Sequence, residues 1–190
     1  EFAIAGRALD LGGMMQPYVD DLTTGAKQLA QLRGRYYAVP KQLKIKAWWY
    51  RKDLFENAGI VPADVKTHDD FVAAGRAFRE VNPDSYFCNV GPNGPATDKY
   101  TAILPNWEDA SFADYDGNFK VSTHPAFRSF FEWLKTWLDE DIAWPVVSWS
   151  DDWRQSFAND RIGAWPGLNF GVNWVPRLAP DQAGLWEGTV

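Results

Sequence analysis

The chain of 190 residues has a formal net charge of −6, with 19 Lys and Arg against 25 Asp and Glu. This acidic balance argues against a surface that neutralises phosphates, so we expect no nucleic acid partner. Hydrophobic residues make up 46% and charged residues 23%, as in ordinary globular proteins, but 11 Trp, 12 Phe and 7 Tyr exceed what a core of this size needs. We predict that the aromatic surplus has a role in packing or in ligand binding.

Apolar residues recur every three or four positions in some segments and alternate in others, so helices and strands can be assigned from the N-terminus onward. Thr67 and Asp70 have the spacing of a capping box, which predicts a helix that begins there and ends at Asn82. The elements predicted before it are an amphipathic helix over 18–32, strands over 36–39 and 43–50, and a short helix over 51–58.

In the second half of the chain, the strongest helical pattern covers Pro125–Asp139, where large apolar residues form one wide face. The other predicted elements are a strand over 86–90, a helix over 97–107, strands over 119–121 and 161–165, and a helix over 151–159. Helices and strands alternate, which predicts an α/β fold with a largely parallel sheet.

Catalytic signatures are missing from the sequence. It has no G-x-S-x-G, P-loop, G-x-G-x-x-G or H-E-x-x-H pattern. One cysteine and two histidines, His68 and His124, are a poor set of zinc ligands, and both histidines are expected at exposed helix N-termini. The neighbouring carboxylates Glu108 and Asp109 leave open a glycoside-cleaving enzyme. We predict no enzymatic activity, no metal and no cofactor.

The tryptophans divide into two groups. Trp133 and Trp137, four residues apart on the long predicted helix, are expected in the core. A loop tryptophan offers a flat apolar face that suits the C–H face of a sugar ring, and neighbouring Asn, Asp, Lys and Gln can bond its hydroxyls. Carbohydrate is therefore the predicted ligand class, and a polyamine in an acidic aromatic pocket is the alternative. The tryptophans in loops or at strand ends are Trp107, Trp144, Trp149, Trp165, Trp174 and Trp186.

Several motifs stand in register over roughly 5–175. They are Tyr37-Ala-Val-Pro40, Trp49-Tyr-Arg-Lys-Asp-Leu-Phe55 followed by Gly59, Thr67-His-Asp-Asp-Phe71, Asp116-Gly-Asn118 and Phe157-Ala-Asn-Asp-Arg-Ile-Gly-Ala-Trp165. This order resembles the extracellular solute-binding proteins of family 1, the maltose-binding-protein-like receptors of ABC importers. His68 stands where the family usually has Trp, and Asp160 stands where Gly is common.

The resemblance implies a periplasmic-binding-protein-like (type II) fold of two lobes. Residues 1–42 would be the C-terminal part of the first lobe up to the hinge, and residues 43–190 an incomplete second lobe, so the chain is expected to be a fragment. Such a protein captures a mono- or oligosaccharide in the cleft between its lobes and delivers it to the transmembrane subunits of a permease. We expect a monomer in the periplasm or lipid-anchored at the cell surface, whose signal sequence is not in this chain.

The resemblance also implies ligand contacts. Tyr100 matches an aromatic residue early in the helix that follows the Gly- and Pro-rich loop over 91–95, and Lys41 and Gln42 flank the hinge. Phe170 lies close to the family's stacking Trp, and a shift of register would give that role to Trp165. The residues expected to contact the ligand are Lys41, Gln42, Asp98, Tyr100, Trp107, Trp165, Gly167, Asn169 and Phe170.

Overall fold

The computed structural model describes residues 2–41, 45–91, 112–114 and 116–189. The chain divides into two compact units, Glu1–Lys44 and Ile45–Val190. Among the described residues, the first unit has one cluster of buried apolar side chains and the second unit has two. Within the described ranges, no helix has the length and apolar character needed to cross a membrane.

The first unit is formed by short helices and a hairpin. Its elements are α1 (Gly12–Met15), a 3-10 helix (Gln16–Asp21), α2 (Thr24–Ala30), β1 (Gln31–Leu32) and β2 (Arg35–Tyr36). The prediction of one helix over 18–32 is wrong. Leu22 is extended, and the Oγ of Thr23 accepts a hydrogen bond from the backbone N–H of Ala26 at 3.3 Å, which starts a new helix. A Thr that caps a helix offers the backbone an alternative to helix continuation.

The hairpin joins β1 and β2 in antiparallel pairing. Its two turn residues, Arg33 and Gly34, both have positive φ, at 51° and 77°, as a two-residue turn of type I′ requires. The side chain of Tyr36 packs with Met15 and Ala30 in the small core of this unit. The strand predicted over 36–39 is observed only at its first residue, because β2 ends at Tyr36.

The strands described in the second unit include both antiparallel and parallel pairs. They are β3 (Lys46–Arg51), β4 (Cys88–Val90), β5 (Ala143–Pro145), β6 (Ala164–Leu168) and β7 (Trp186–Thr189). Strand β3 lies between β6 and β7 and is antiparallel to both, whereas β4 and β5 pair in parallel. The prediction of a largely parallel sheet is therefore wrong for the described residues, although the α/β class is confirmed.

The helices of this unit are α3 (Lys52–Asn57), α4 (His68–Val81), α5 (Pro125–Asp139), α6 (Asp151–Ala158) and α7 (Gly171–Leu178), with 3-10 helices at Pro62–Asp64 and Pro180–Gln182. The predicted capping box is confirmed. The Oγ of Thr67 accepts from the N–H of Asp70 at 3.1 Å, and the Asp70 carboxylate accepts from the N–H of Thr67 at 2.9 Å. Helix α5 has the predicted bounds. The predicted helix over 97–107 lies outside the described residues, and the predicted strand over 119–121 is only a bridge between Ala113 and Phe119.

A buried arginine connects β3 to the turn before β6. The guanidinium of Arg51, 4% exposed, donates to the Asp53 carboxylate at 2.8 and 2.7 Å and also bonds Asp160. Its hydrogen bonds hold the pKa of Asp53 below the ordinary value. Asp160 has a φ of 59°, in the left-handed region that favours Gly.

We call the rings of Phe55, Phe71, Phe78 and Phe87 the phenylalanine cluster. All four are at most 6% exposed. Their ring centroids lie 5.0 to 5.8 Å apart in the pairs that touch, at distances suited to offset and edge-to-face contact. This cluster belongs to one of the two buried apolar cores described in the second unit.

His68 begins α4 and packs against α5, so the expectation of an exposed His68 is wrong. Its ring stacks on Trp133 with centroids 4.5 Å apart and planes 10° apart, and its Nε2 accepts from Trp137 Nε1 at 3.2 Å. Burial lowers the pKa of His68, and the nearby Asp69 carboxylate opposes that shift. Trp137 is buried as predicted, and Trp133 is only partly buried.

Candidate ligand-binding surface

The chain that leaves β6 is held against β3. The indole Nε1 of Trp49 donates to the carbonyl of Leu168 at 2.9 Å, and the N–H of Asn169 donates to the carbonyl of Ile45 at 2.9 Å. Gly171 then begins α7 directly against Trp49, where a Cβ atom would lie 2.1 Å from the indole nitrogen. Only glycine leaves room for this approach, and the residue before it, Phe170, is partly buried.

Five aromatic residues gather at this end of β6, and we call them the tryptophan cluster: Trp149, Trp153, Trp165, Phe170 and Trp174. Trp153 and Trp165 form its buried floor, at 0% and 3% exposed. Trp149 is 39% exposed, and Phe170 and Trp174 are partly buried. The ring centroid of Trp149 lies 5.2 Å from that of Trp174 and 6.3 Å from that of Phe170. The cluster therefore presents an aromatic surface to solvent.

Polar residues lie close in the sequence to members of the tryptophan cluster or contact the segment that carries Trp149. Asn169 and Asn173 are exposed on either side of Phe170 in the sequence. Asn89, which is fully buried in β4, donates from its Nδ2 to the Oγ of Ser148 at 3.2 Å, and Ser148 directly precedes Trp149. Aromatic faces bordered by amides and hydroxyls can stack on an apolar ring face and hydrogen-bond its substituents.

The expectation that Trp165 lies at a strand end or in the loop after it is wrong. Strand β6 continues through Pro166 to Leu168, and the Trp165 indole is buried under the cluster. Proline is tolerated here because β6 pairs only with β3 among the described strands, and an edge strand does not need every N–H. Gly167 is also buried, with the indole of Trp165 2.6 Å from the position that a Cβ would take.

The other expected contacts fall in different places. Asn169 is exposed and Phe170 partly exposed at the end of β6, as a ligand contact requires. Lys41 is exposed in the first unit. Outside the described residues lie Gln42, Asp98, Tyr100 and Trp107.

The expected set omits two members of the aromatic surface, Trp149 and Trp174. Trp174 lies four residues after Phe170, and that spacing could have indicated a shared helix face. The sequence marked Trp149 only by its place in a loop. It could not show the ring contacts of Trp149, because their partners come from α6, β6 and α7.

The described residues offer little for catalysis or metal binding. Asp151 and Asp152 are both exposed in the first turn of α6, and the Asp151 carboxylate accepts from Arg154 at 2.8 Å. His124 caps α5, with its Nδ1 accepting from the N–H of Ala126 at 3.2 Å. Across the ranges that the structure covers, no three His, Cys, Asp or Glu side chains are grouped to hold a metal ion. Glu108 and Asp109 lie outside those ranges.

Comparison with known proteins agrees with the fold. The model of the family of bacterial extracellular solute-binding proteins matches residues 3–175. An ABC transporter extracellular-binding protein of Pyrococcus horikoshii is 24% identical over 115 residues, which cover 60% of this chain and 26% of that protein. The arabinooligosaccharide-binding protein of Halalkalibacterium halodurans is 26% identical over 117 residues, which cover 60% of this chain and 25% of that protein.

Among solved structures, the chain is similar to the ABC transporter associated binding protein of B. animalis subsp. lactis Bl-04 in complex with β-1,6-galactobiose. The TM-score is 0.81 at 22% identity, and the match covers 100% of this chain and 47% of that one. The chain thus spans about half the length of the solved structures that it matches. The fold is that of type II periplasmic binding proteins, and the chain belongs to the family of bacterial extracellular solute-binding proteins.

Proposed function

We propose that this chain takes part in capturing a carbohydrate for an ABC importer, without catalysis. Membership of the solute-binding family supports the capture of a solute. The observation that carries the choice of carbohydrate is the exposed part of the tryptophan cluster, where Trp149, Phe170 and Trp174 come together within 6.5 Å of one another between ring centroids.

The chemistry of this surface favours a sugar. Aromatic rings stack on the apolar C–H faces of pyranose or furanose rings, and the exposed amides of Asn169 and Asn173 can exchange hydrogen bonds with hydroxyl groups. A polyamine would need carboxylates facing the rings. The sugar-binding relatives support the same choice, since one is an arabinooligosaccharide-binding protein and another binds β-1,6-galactobiose.

The further parts of the proposal follow the family. The units Glu1–Lys44 and Ile45–Val190 would belong to the first and second lobes, with the hinge near residue 42. Lys41, Gln42, Asp98, Tyr100 and Trp107 would add ligand contacts. The complete protein would act as a monomer in the periplasm or at the cell surface and release its sugar to a permease.

Calorimetric titration of the full-length protein tests this proposal. The panel contains neutral and acidic mono- and oligosaccharides and a polyamine. We expect at least one sugar to bind, and Trp174→Ala to weaken that binding roughly tenfold or more, as for an aromatic residue central to a binding site. Trp133→Ala is the matched control, because Trp133 is partly buried and stacks on His68 outside the tryptophan cluster.

Three results would contradict the proposal. Binding of the polyamine alone would overturn the ligand class. A sugar affinity that is equal in Trp174→Ala and in the unchanged protein would remove the tryptophan cluster from the site. Turnover of a chromogenic glycoside, abolished by Glu108→Gln or Asp109→Asn, would establish catalysis in place of simple capture.

A further inference from the structure

Trp149 occupies a backbone conformation that bulky residues rarely adopt. Its φ is 72°, and it is the third residue of a four-residue turn, Val147 to Ser150, closed by a hydrogen bond from the N–H of Ser150 to the carbonyl of Val147 at 3.2 Å. A positive φ at the third position of a turn normally selects Gly or Asn, because a Cβ atom is strained there. Residues held in this way are found at ligand clamps, where the surrounding structure imposes the conformation.

Hydrogen bonds hold this turn on both sides. On the side of β5, the N–H of Val146 donates to the carbonyl of Val90 at 3.0 Å, and Ser148 Oγ accepts from Asn89 Nδ2 at 3.2 Å. On the side of α6, the Oγ of Ser150 caps the helix by accepting from the N–H of Trp153 at 3.1 Å. The turn is thereby fastened to a buried strand and to a helix.

The Asn89 side chain is unusual for its position. It is 0% exposed in the middle of β4, between Cys88 and Val90, and its Oδ1 has no hydrogen-bond partner among the described residues. A buried amide with one unpaired polar atom destabilises a fold relative to an apolar side chain. Among the described residues, the contact that distinguishes Asn89 from an apolar residue is its hydrogen bond to Ser148.

We infer that the Asn89–Ser148 hydrogen bond is a positioning contact that fixes the Val147–Ser150 turn and so orients the Trp149 indole for the ligand. Glycine at position 149 would adopt the same turn without strain but would contribute no ring. The inference rests on the proposed function, because it gives Trp149 a task at the sugar-binding surface. Asn89 and Ser148 act through Trp149 and do not themselves touch the ligand.

A double-mutant cycle in the full-length protein tests the inference. Ser148→Ala, Trp149→Ala and the double variant are titrated with the sugar that binds most tightly in the panel. We expect Ser148→Ala to weaken binding roughly 3- to 10-fold when Trp149 is present, the range of one net hydrogen bond, and to have no effect when Trp149 is Ala. Ser148→Thr retains the hydroxyl and should restore the affinity.

Ser85→Ala is the matched control. Ser85 is buried, and its hydroxyl bonds the backbone carbonyl of Asp160, away from the turn. Its loss should lower the thermal midpoint and leave the affinity unchanged. A Ser148→Ala effect of equal size with and without the Trp149 ring would show a general structural role and overturn the inference.

The outcomes separate the inference from the proposed function. If Trp149→Ala weakens binding and Ser148→Ala does not, the inference fails and the proposed function stands. If no sugar binds, the proposed function fails. The fluorine resonance of 5-fluorotryptophan at position 149 then tests whether Ser148 orients the Trp149 indole. Ser148→Ala should then shift or broaden that resonance, and an unchanged signal would overturn the inference.

Discussion

The phenylalanine cluster and the tryptophan cluster lie in the same unit and contain similar numbers of rings, yet they differ in exposure, backbone strain and unpaired polar atoms. The phenylalanine cluster is at most 6% exposed and is formed by side chains without polar atoms. The tryptophan cluster has a member that is 39% exposed, a strained backbone at Trp149 and a buried indole N–H at Trp153 with no partner among the described residues.

The difference shows that aromatic content alone does not decide whether rings are buried in a core or exposed at a surface. A core minimises strain and unpaired polar groups, because each of them lowers stability. The strained backbone at Trp149 and the unpaired indole N–H of Trp153 are therefore in keeping with the function proposed for the tryptophan cluster. The predictions below test this division.

The largest effect is expected from Phe78→Ala. Phe78 is 0% exposed and contacts Phe55 and Phe87, so its truncation should lower the free energy of unfolding by about 3–5 kcal/mol. Urea unfolding measures this loss. The ligand affinity of the folded protein should not change, and a large drop in affinity under folding conditions would show that the two clusters are coupled.

Two glycines allow a sharper comparison. A Cβ at Gly163 would lie 2.3 Å from the Phe78 ring, and one at Gly171 would lie 2.1 Å from Trp49 Nε1. Alanine at either position should lower the free energy of unfolding by about 1–3 kcal/mol through overpacking. Only Gly171→Ala should also weaken sugar binding, because it displaces the loop that carries Phe170. Equal affinities of the two variants in calorimetry would contradict the assignment of the surface.

The capping box of α4 supports the phenylalanine cluster from outside. Thr67→Ala removes the acceptor for the Asp70 N–H and should lower the free energy of unfolding by about 1 kcal/mol, since α4 supplies Phe71 and Phe78. Thr67→Ser should retain most of that stability. Thermal unfolding of both variants provides the measurement, and sugar affinity should be unaffected in each.

The smallest effect concerns pH. The pKa of His68 is lowered in the folded state, so the unfolded chain binds the proton more tightly. The contribution of His68 to stability is complete above pH of about 6.5 and is lost as the pH falls through that value, with a slope below about 1.4 kcal/mol per pH unit. Thermal midpoints measured between pH 5 and 8, the interval in which histidines ordinarily titrate, should show this loss.

The control for the pH effect is His68→Phe, which keeps a ring beside Trp133 and removes the titration. Its midpoint should depend less on pH over the same interval. If the unchanged protein and the variant have parallel profiles, His68 is not the group responsible. A change of sugar affinity that follows His68 would place this histidine nearer to the ligand than its contacts with α5 indicate.

Local signals were sufficient for some of these features. The capping box at Thr67 and the bounds of α5 depend on residues within a few positions of one another, so their spacing in the sequence predicts them. The helix expected over 18–32 failed for a local reason as well, because Thr23 caps a second helix. The family could also be identified from motifs in register, which carry the order of the elements.

Contacts between distant segments decided the rest. Trp165 is buried because β6 continues past Pro166 in its pairing with β3, which comes from more than a hundred residues earlier in the chain. His68 is partly buried by α5, and Trp149 takes its strained turn between β4, α6 and α7. The sequence by itself determined the family, the α/β class, the principal helices and the presence of surplus aromatic rings. Only the tertiary structure decided which rings form a closed core and which reach a surface, because burial depends on the segments that pack against a side chain and not on its neighbours in the sequence.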